Sequence, residues 1–447
     1  MIFYGTMAGC ALLWARVWRR FGDPFHPLIY TLPMFGYLYG FMPLEIWRED
    51  PARFALYAGG RANLFHHGVV VGLILSFAGG VWWATRGITR RSAAWRPMRI
   101  VDPRLLQTVG LGIGCVAVAA WTYMILRRGG LLAAYGEAYG GGSAGSGYIV
   151  EMPYLGIVGA TLIYLARVGR KMRPVDWALI AFCIAPVLLH AFLGARRGPT
   201  FMGLITVIGG YVYFQRRRVR LPWLIAGGLG LGLLMLFLVA NRDDIYIGSE
   251  FGSVRNPLEF LSQWNSNEYL ISNGTVRMTQ EVGGFYGVRE FIWIVARLLP
   301  SQIWPTVYSD LPRFFGIELN LWVNGGVDPY GVYRVTGWAP SIGSAEGFAA
   351  SLWLEFQYAA PLVAAAIGYG YGRMWAKART SMPARVLYLL MAALSVYLVM
   401  QSLDPWLFRL ILLSVPAWLV LRTVRAQPLP QARGGLAEAG MRGGRPA

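Results

Sequence analysis

The feature that most constrains this chain is a series of apolar segments, each about as long as a membrane-spanning helix. Such a helix needs about twenty apolar residues to cross about 30 Å of hydrocarbon. The segments lie at residues 1 to 18, 25 to 47, 64 to 85, 105 to 126, 148 to 166, 174 to 195, 199 to 215, 222 to 241, 347 to 372, 384 to 403 and 405 to 422. We therefore predict an all-α polytopic membrane protein with about 11 transmembrane helices.

The composition favours the same fold class. The chain is 56% hydrophobic and 14% charged, with a mean hydropathy of +0.45, and a soluble domain of this size would be left with large exposed apolar patches. The net charge of +19 raises the alternative of nucleic-acid binding. We expect no nucleic-acid partner, because the basic residues are dispersed between apolar segments and not gathered on one face.

The distribution of Lys and Arg predicts the orientation in the membrane. If the N-terminus lies outside, the cytoplasmic connections hold 26 of the 41 Lys and Arg residues, and the short outer connections hold seven. Cytoplasmic connections normally carry the excess of these residues. The first segment has no basic region before it and continues into Arg16, Arg19 and Arg20, which favours an anchoring helix over a cleaved signal peptide.

One long polar interval, from Asn241 to Glu346, interrupts the apolar segments. A connection of this length without structure of its own is uncommon, so it is predicted to contain helices and to carry function. The predicted divisions are residues 1–241 with transmembrane helices 1–8, residues 242–346 as a large outward-facing loop with interfacial helices, residues 347–425 with transmembrane helices 9–11, and residues 426–447 as a disordered cytoplasmic tail.

Two arginines lie in a short outer turn. Arg196 and Arg197 join two apolar segments, where positive charge is disfavoured on the outer side. Their presence there indicates an anionic ligand such as a diphosphate, because the planar guanidinium binds phosphate oxygens through two hydrogen bonds at once. The alternative is that both side chains extend to lipid headgroups.

Further arginines lie in the long interval. Arg289, Trp293, Ala296 and Arg297 are spaced as one face of a helix whose other positions are largely apolar, which predicts a helix in the membrane interface or packed on the bundle. Arg289 and Arg297 are either a second diphosphate-binding position or solvated anchors. The other candidates for diphosphate binding in this interval are Arg277 and Arg334.

Two carboxylates accompany these arginines. Glu346 lies where an apolar segment begins, and Glu355 lies about two helical turns deeper. Glu346 either complements the dipole of the helix that starts there or acts as a general base whose pKa burial raises, and Glu355 is a second candidate base. We expect no metal ion and no cofactor, because the outward face offers no clustered acidic or histidine ligands.

Three motifs resemble one protein family. They are Gly194-Ala195-Arg196-Arg197-Gly198, Ala296-Arg297-Leu298-Leu299-Pro300 with Ile303-Trp304-Pro305, and Gly337-Trp338-Ala339-Pro340-Ser341-Ile342-Gly343 with Glu346. Together with the single late outer loop, they resemble the bacterial O-antigen polymerase and ligase superfamily of membrane glycosyltransferase C type, and most closely its Wzy-type repeat-unit polymerases. The resemblance covers about residues 190 to 375. Where the family has Asn-Phe-Gly-x-x-Gly, this chain has Glu355-Phe356-Gln357-Tyr358-Ala359-Ala360.

The resemblance implies a polysaccharide polymerase of O-antigen or exopolysaccharide biosynthesis. Such an enzyme transfers undecaprenyl diphosphate-linked glycan onto another lipid-linked repeat unit at the periplasmic face of the bacterial inner membrane. In this chain it implies Glu346, Arg196 and Arg197 as catalytic residues, with Arg289, Arg297, Arg277 and Arg334 binding the diphosphate. Membrane lipid, a chain-length regulator and a flippase are the other partners that it implies.

Two alternatives stay open. A ligase of the same superfamily transfers glycan to lipid A core, and those ligases carry a histidine in the large outer loop. Histidine occurs in this chain at positions 26, 66, 67 and 190, outside that loop, which favours the polymerase. A transporter of polysaccharide or lipid-linked oligosaccharide would explain the many glycines and the prolines inside apolar segments, but would have no need of a hundred-residue outer loop.

Overall fold

The structure is a computed structural model of the 447-residue chain. It describes residues 2–88, 98–100, 102–138, 140–141, 147–215, 219–249, 256, 267–285, 287–299, 303–316, 329–340, 344–423 and 426–428. The predicted disordered tail lies outside the described residues from residue 429 onward.

Helices make up most of the described chain. They are α1 (Ile2–Phe21), α2 (Pro27–Gly36), α3 (Met42–Glu49), α4 (Pro51–Ala58), α5 (Gly60–Thr85), α6 (Pro103–Arg127), α7 (Leu131–Tyr135), α8 (Gly147–Glu151), α9 (Leu155–Ala166), α10 (Pro174–Leu193), α11 (Arg197–Leu204), α12 (Gly210–Gln215), α13 (Leu221–Ala240), α14 (Glu268–Val282), α15 (Val288–Leu298), α16 (Val307–Phe314), α17 (Pro329–Thr336), α18 (Gly347–Phe356), α19 (Ala360–Ala378), α20 (Met382–Met400) and α21 (Leu403–Thr423).

Short segments of other geometry join some of these helices. The turns at Met152–Tyr154 and Gln357–Ala359 are 3₁₀-helical, and those at Tyr37–Phe41 and Ile205–Gly209 are π-helical. Two three-residue strands pair antiparallel, β1 (Met98–Ile100) with β2 (Ala426–Pro428). The region predicted as a disordered tail therefore begins with an ordered strand.

Within the residues that the structure describes, eight helical segments are long and apolar enough to cross a membrane, which supports a helical membrane protein. They are Gly60–Thr85, Pro103–Arg127, Tyr148–Ala166, Pro174–Leu193, Leu221–Ala240, Gly347–Ala378, Met382–Met400 and Leu403–Thr423. The other three predicted spans are also helical. The first, α1, carries three arginines in its last two turns, and the second and seventh are interrupted by the π-helical turns. Eleven spans and the outward position of the loop stay predictions.

Acidic caps and prolines start several helices. Asp50 accepts a hydrogen bond from Arg53 N at 2.9 Å, and Asp102 accepts one from Leu105 N at 3.1 Å. Each cap precedes a proline at the first helical position, where the missing N–H costs no hydrogen bond. The sequence signals for these two boundaries are local.

One close helix contact joins α5 and α19 through glycines. A β-carbon at Gly80 would lie 2.0 Å from Ala365 O, and one at Gly368 would lie 2.1 Å from Phe77 O. Only glycine permits this backbone approach. The contact holds α19, and with it the preceding α18, against the first half of the chain.

The long polar interval does not form a separate unit, because α14 lies inside the bundle. Tyr269, Leu270 and Ile271 belong to the main hydrophobic core, and α14 packs against α5, α17 and α18. Polar side chains of the same helix are buried too: Glu268, Ser272, Asn273, Thr275 and Thr279. A buried helix with this many polar groups is unusual and points to a polar interior at this end of the bundle.

Candidate functional site

The site is organised by α15, whose inner face carries a buried arginine. The predicted helix is present, and Arg289, Ile292, Trp293 and Ala296 are all buried. Gly287 precedes the helix with a φ of +83°, a conformation that glycine adopts without steric cost. The face predicted from the spacing of these residues is therefore turned toward the bundle.

Arg289 links two carboxylates that come from α18 and its N-terminal boundary. Its Nε donates to Glu355 Oε1 in a short hydrogen bond, and its Nη1 lies 3.4 Å from Glu346 Oε1. The second oxygen of Glu355 accepts from Gly287 N at 3.2 Å. Both candidate bases thus meet one guanidinium, although they lie 57 and 66 residues away from it in the sequence.

The environment of Glu346 favours its neutral form. Burial raises the pKa of Glu346 to about 8, although the Arg289 guanidinium opposes the rise; Asp404 and Glu355 add to it through their negative charge. Burial also raises the pKa of Glu290, and Asp404 raises it further. For Arg289, burial lowers the pKa, but the charges of Glu346 and Glu355 outweigh this and leave it raised.

Arg297 lies in the last turn of α15 and contacts the start of α21. Its Nη2 is 3.7 Å from Asp404 Oδ2, and its guanidinium lies 4.9 Å from the Trp293 ring centre and 5.5 Å from that of Phe408. Asp404 is held on its other oxygen by a hydrogen bond from the Ser402 hydroxyl. The two ends of α15 are therefore tied to two different spans.

Arg196 and Arg197 lie at the start of α11, where Ala195 bends the chain. Arg197 forms a close ion pair with Glu268 at the start of α14. Burial lowers the pKa of Arg197, but the charge and hydrogen bond of Glu268 raise it above its ordinary value. Arg196 Nη2 lies 3.4 Å from Gly140 O. The predicted turn thus contacts the long interval directly.

The other two predicted diphosphate ligands lie elsewhere. Arg277 donates hydrogen bonds to two backbone oxygens, Tyr57 O at 3.3 Å and Val335 O at 2.5 Å. Arg334 pairs with Glu281 at 3.1 Å on the surface, where both side chains are more than half exposed. These contacts involve backbone oxygens and an exposed carboxylate, so we leave Arg277 and Arg334 out of the site.

Two strained backbone positions flank the site. Among the described residues, the non-glycine residues with positive φ are Ala195 at +47° and Gln357 at +43°. One immediately precedes Arg196, and the other follows Glu355 by two positions. Such conformations cost about 1–3 kcal/mol and cluster at functional sites.

Sequence reasoning missed a buried ion pair between α8 and α21. Arg409 Nε and Nη2 each lie 2.6 Å from one oxygen of Glu151, and the Arg409 guanidinium lies 4.1 Å from the Tyr397 ring centre and 5.0 Å from that of Tyr154. An arginine within an apolar segment was the available signal, since charged groups at such depth are costly and tend to be functional.

The sequence argument counted two histidines of α5 as lying outside the loop but did not predict that one of them contacts it. His66 Nε2 lies 2.9 Å from Ser272 Oγ of α14, and His67 Nε2 lies 2.8 Å from Thr6 Oγ1. Tyr39 contacts α18, because its hydroxyl accepts a hydrogen bond from Ala349 N at 2.8 Å. An imidazole therefore contacts residues 241–346 although no histidine occurs within them.

Within the part of the chain that the structure describes, no group of three or more His, Cys, Asp and Glu side chains is arranged to hold a metal ion. The carboxylates of Glu346 and Glu355 are turned to a guanidinium instead.

Comparisons of the chain with protein-family models, with curated proteins and with solved structures find no match.

Proposed function

We propose that this protein is a membrane glycosyltransferase that polymerises lipid-linked oligosaccharides. One observation carries the proposal, which is the buried contact between Glu346 and Arg289 at the end of an apolar helical bundle. It combines a carboxyl group suited to accept a proton near neutral pH with a fixed guanidinium. The family resemblance of the three motifs supplies the substrate class.

In the proposed reaction Glu346 is the general base. It accepts the proton of an acceptor sugar hydroxyl, whose oxygen forms the new bond to the anomeric carbon of the donor. The bond from that carbon to undecaprenyl diphosphate breaks, and the diphosphate leaves with the electron pair. Arg196 and Arg197 are proposed to stabilise the charge that develops on the diphosphate, as preorganised donors do for other leaving groups.

The geometry changes the role that we propose for Arg289. Its guanidinium is already engaged by Glu355 and Glu346, and Glu290 lies 3.9 Å from its Nη2. A guanidinium held among three carboxylates is poorly placed to bind a diphosphate, which is itself an anion, whereas Arg197 and Arg297 are each described with one carboxylate. We therefore propose that Arg289 orients Glu346 and supports its ionised form. Arg297 stays a candidate for the diphosphate.

The test is elongation by the purified protein in nanodiscs. The substrate is an undecaprenyl diphosphate-linked oligosaccharide, with and without EDTA, and the products are separated by size. We expect longer lipid-linked glycan in both conditions and a loss of about 100-fold or more in Glu346→Gln, in line with the effect of removing a general base. Glu281→Gln, which alters an exposed carboxylate, is the control and should keep full activity.

Other outcomes would reject parts of this assignment. Full activity in Glu346→Gln would remove Glu346 as the base, and loss of turnover with EDTA would reject the metal-independent reaction. Movement of substrate across the bilayer without elongation would favour the transporter.

The ligase is the second candidate, and the contact of His66 with Ser272 favours it. If the family's ligases depend on a histidine at the outer loop, this imidazole lies against a helix of that loop. Supplying lipid A core as acceptor distinguishes the ligase from the polymerase. Transfer of glycan to lipid A core, lost in His66→Gln and absent with the lipid-linked acceptor, would establish the ligase and reject the polymerase.

A further inference from the structure

The helices α15 and α16 carry an exposed apolar surface opposite the buried arginine. Phe291 is 53% exposed, Phe314 81% and the adjoining Phe315 40%. The ring centres of Phe291 and Phe315 lie 6.1 Å apart, so the surface is continuous across both helices. We call this set, completed by Leu298, the α15–α16 aromatic surface.

The contacts of α15 define its level relative to the spans. Near its first turn, Arg289 contacts Glu346, the residue before the span Gly347–Ala378, and also Glu355 within the first half of that span. Near its last turn, Arg297 contacts Asp404, the second residue of the span Leu403–Thr423. The two arginines are eight positions apart, which is about 12 Å along a helix. The span Gly347–Ala378 has 32 residues, more than the roughly twenty that cross the hydrocarbon, so its first turns extend beyond it. A helix that contacts these turns at one end and the start of Leu403–Thr423 at the other lies across the end of the bundle, where hydrocarbon gives way to headgroups.

The chemistry of the surface fits that level. Aromatic side chains and arginine are typical of helices that lie in the membrane interface. Arg313 is exposed directly before Phe314, where its charge would meet lipid phosphates. The inner face of the same helices is closed by a small core of Ile292 and Trp293 with Leu311 packed against it, so the hairpin presents a single apolar side outward.

We propose that the α15–α16 aromatic surface docks into the bilayer leaflet at this end of the bundle. Phe291, Phe314 and Phe315 then reach the boundary between headgroups and acyl chains, and Arg313 contacts lipid phosphate. One helix thereby contacts lipid on one face and holds Arg289 and Arg297 on the other. The surface is distinct from the proposed reaction and does not depend on it.

The experiment measures the depth of nitroxide labels in the full-length protein. Cys10, Cys115 and Cys183 are first replaced by Ala, and a single label is placed at Phe314→Cys or Phe291→Cys. The protein is reconstituted singly in nanodiscs of phosphatidylethanolamine and phosphatidylglycerol. We expect both labels to collide more with oxygen than with a water-soluble nickel chelate. Glu281→Cys, at an exposed ion pair, is the matched control and should show the reverse preference.

Two results would overturn the proposal. One is preference for the nickel chelate at both positions in nanodiscs, which would mean that the surface faces water and awaits a protein partner. The other is a short distance between Phe314→Cys labels of two copies when the same labelled protein is measured in detergent, where copies can associate, which would mean that a second copy covers the surface. Size-exclusion profiles and helical circular dichroism equal to those of the unlabelled protein establish that the variants are folded.

Discussion

At the scale of single residues, the site depends on how burial and neighbouring charges act on Glu346. Arg289 lowers the pKa of this carboxyl, whereas Asp404 and Glu355 raise it, and burial brings it to about 8. A base must be ionised to accept a proton. At pH 7 Glu346 is therefore mostly neutral before substrate binds.

The first prediction concerns the pH dependence of turnover. The rate should rise with pH and level off above about pH 8, because ionised Glu346 accumulates in that direction. Glu355→Gln removes a negative neighbour, so it lowers the pKa of Glu346. The rising limb of the pH–rate profile should therefore move to lower pH. The measurement is initial elongation rate between pH 6 and 9, with Glu281→Gln as the control.

A rate that does not change across this pH range would contradict the role of Glu346. A limb that moves to higher pH in Glu355→Gln would show that the contact with Arg289 was lost along with the charge.

At the scale of elements, the break between α18 and α19 is the least expected feature. Gln357 has a φ of +43° and a ψ of −119°, and it stands where the resembled family has glycine. A chain without this glycine would be expected to lose the close backbone approach that glycine permits. The chain instead keeps a backbone typical of glycine and accepts the strain.

The prediction at this scale is that Gln357→Gly stabilises the protein by about 1 kcal/mol. Relief of a strained conformation gains about 1–3 kcal/mol, while the freer unfolded chain of glycine offsets about 0.5–1 kcal/mol. The substitution also removes a long hydrogen bond of 3.4 Å from the Gln357 amide to Thr279 O. The measurement is thermal unfolding in detergent. Gln357→Ala keeps the β-carbon and should bring no such gain; an equal gain in both variants would show that the side chain, and not the backbone, is the source.

At the scale of the whole molecule, the asymmetry of positive charge predicts which end of the bundle faces outward. The site residues Glu346, Arg197 and Arg289 belong to connections on the side with few Lys and Arg. The contacts that join them place these connections at one end of the bundle. One measurement of which side of the membrane this end of the bundle faces therefore applies to all three residues.

The prediction is that Glu281→Cys reacts with a membrane-impermeant maleimide on intact cells, in a chain whose native cysteines are replaced. Arg220→Cys, exposed at the start of α13, should react only after the membrane is permeabilised. The positive-inside tendency is the physical reason. The opposite labelling pattern would invert the topology and place the site in the cytoplasm.

The sequence by itself determined the features that depend on neighbouring residues. Apolar length predicted long helices, and the period of Arg289, Trp293 and Ala296 predicted a face of α15, because hydrophobic periodicity is local information. The motifs also drew attention to Arg196, Arg197 and Glu346. Interruption of two predicted spans by π-helical turns was not visible, since such turns differ from α-helix by one hydrogen-bond register.

Only the tertiary structure decided which charges meet. Arg289 engages Glu346 and Glu355, Arg197 engages Glu268, and Arg409 engages Glu151 across 258 positions. Composition supplies several possible partners for each guanidinium, and the choice among them follows from which helices pack together. Packing placed α14 inside the bundle because α5, α17 and α18 cover it, and a buried charge is tolerated only where packing also brings its counter-charge.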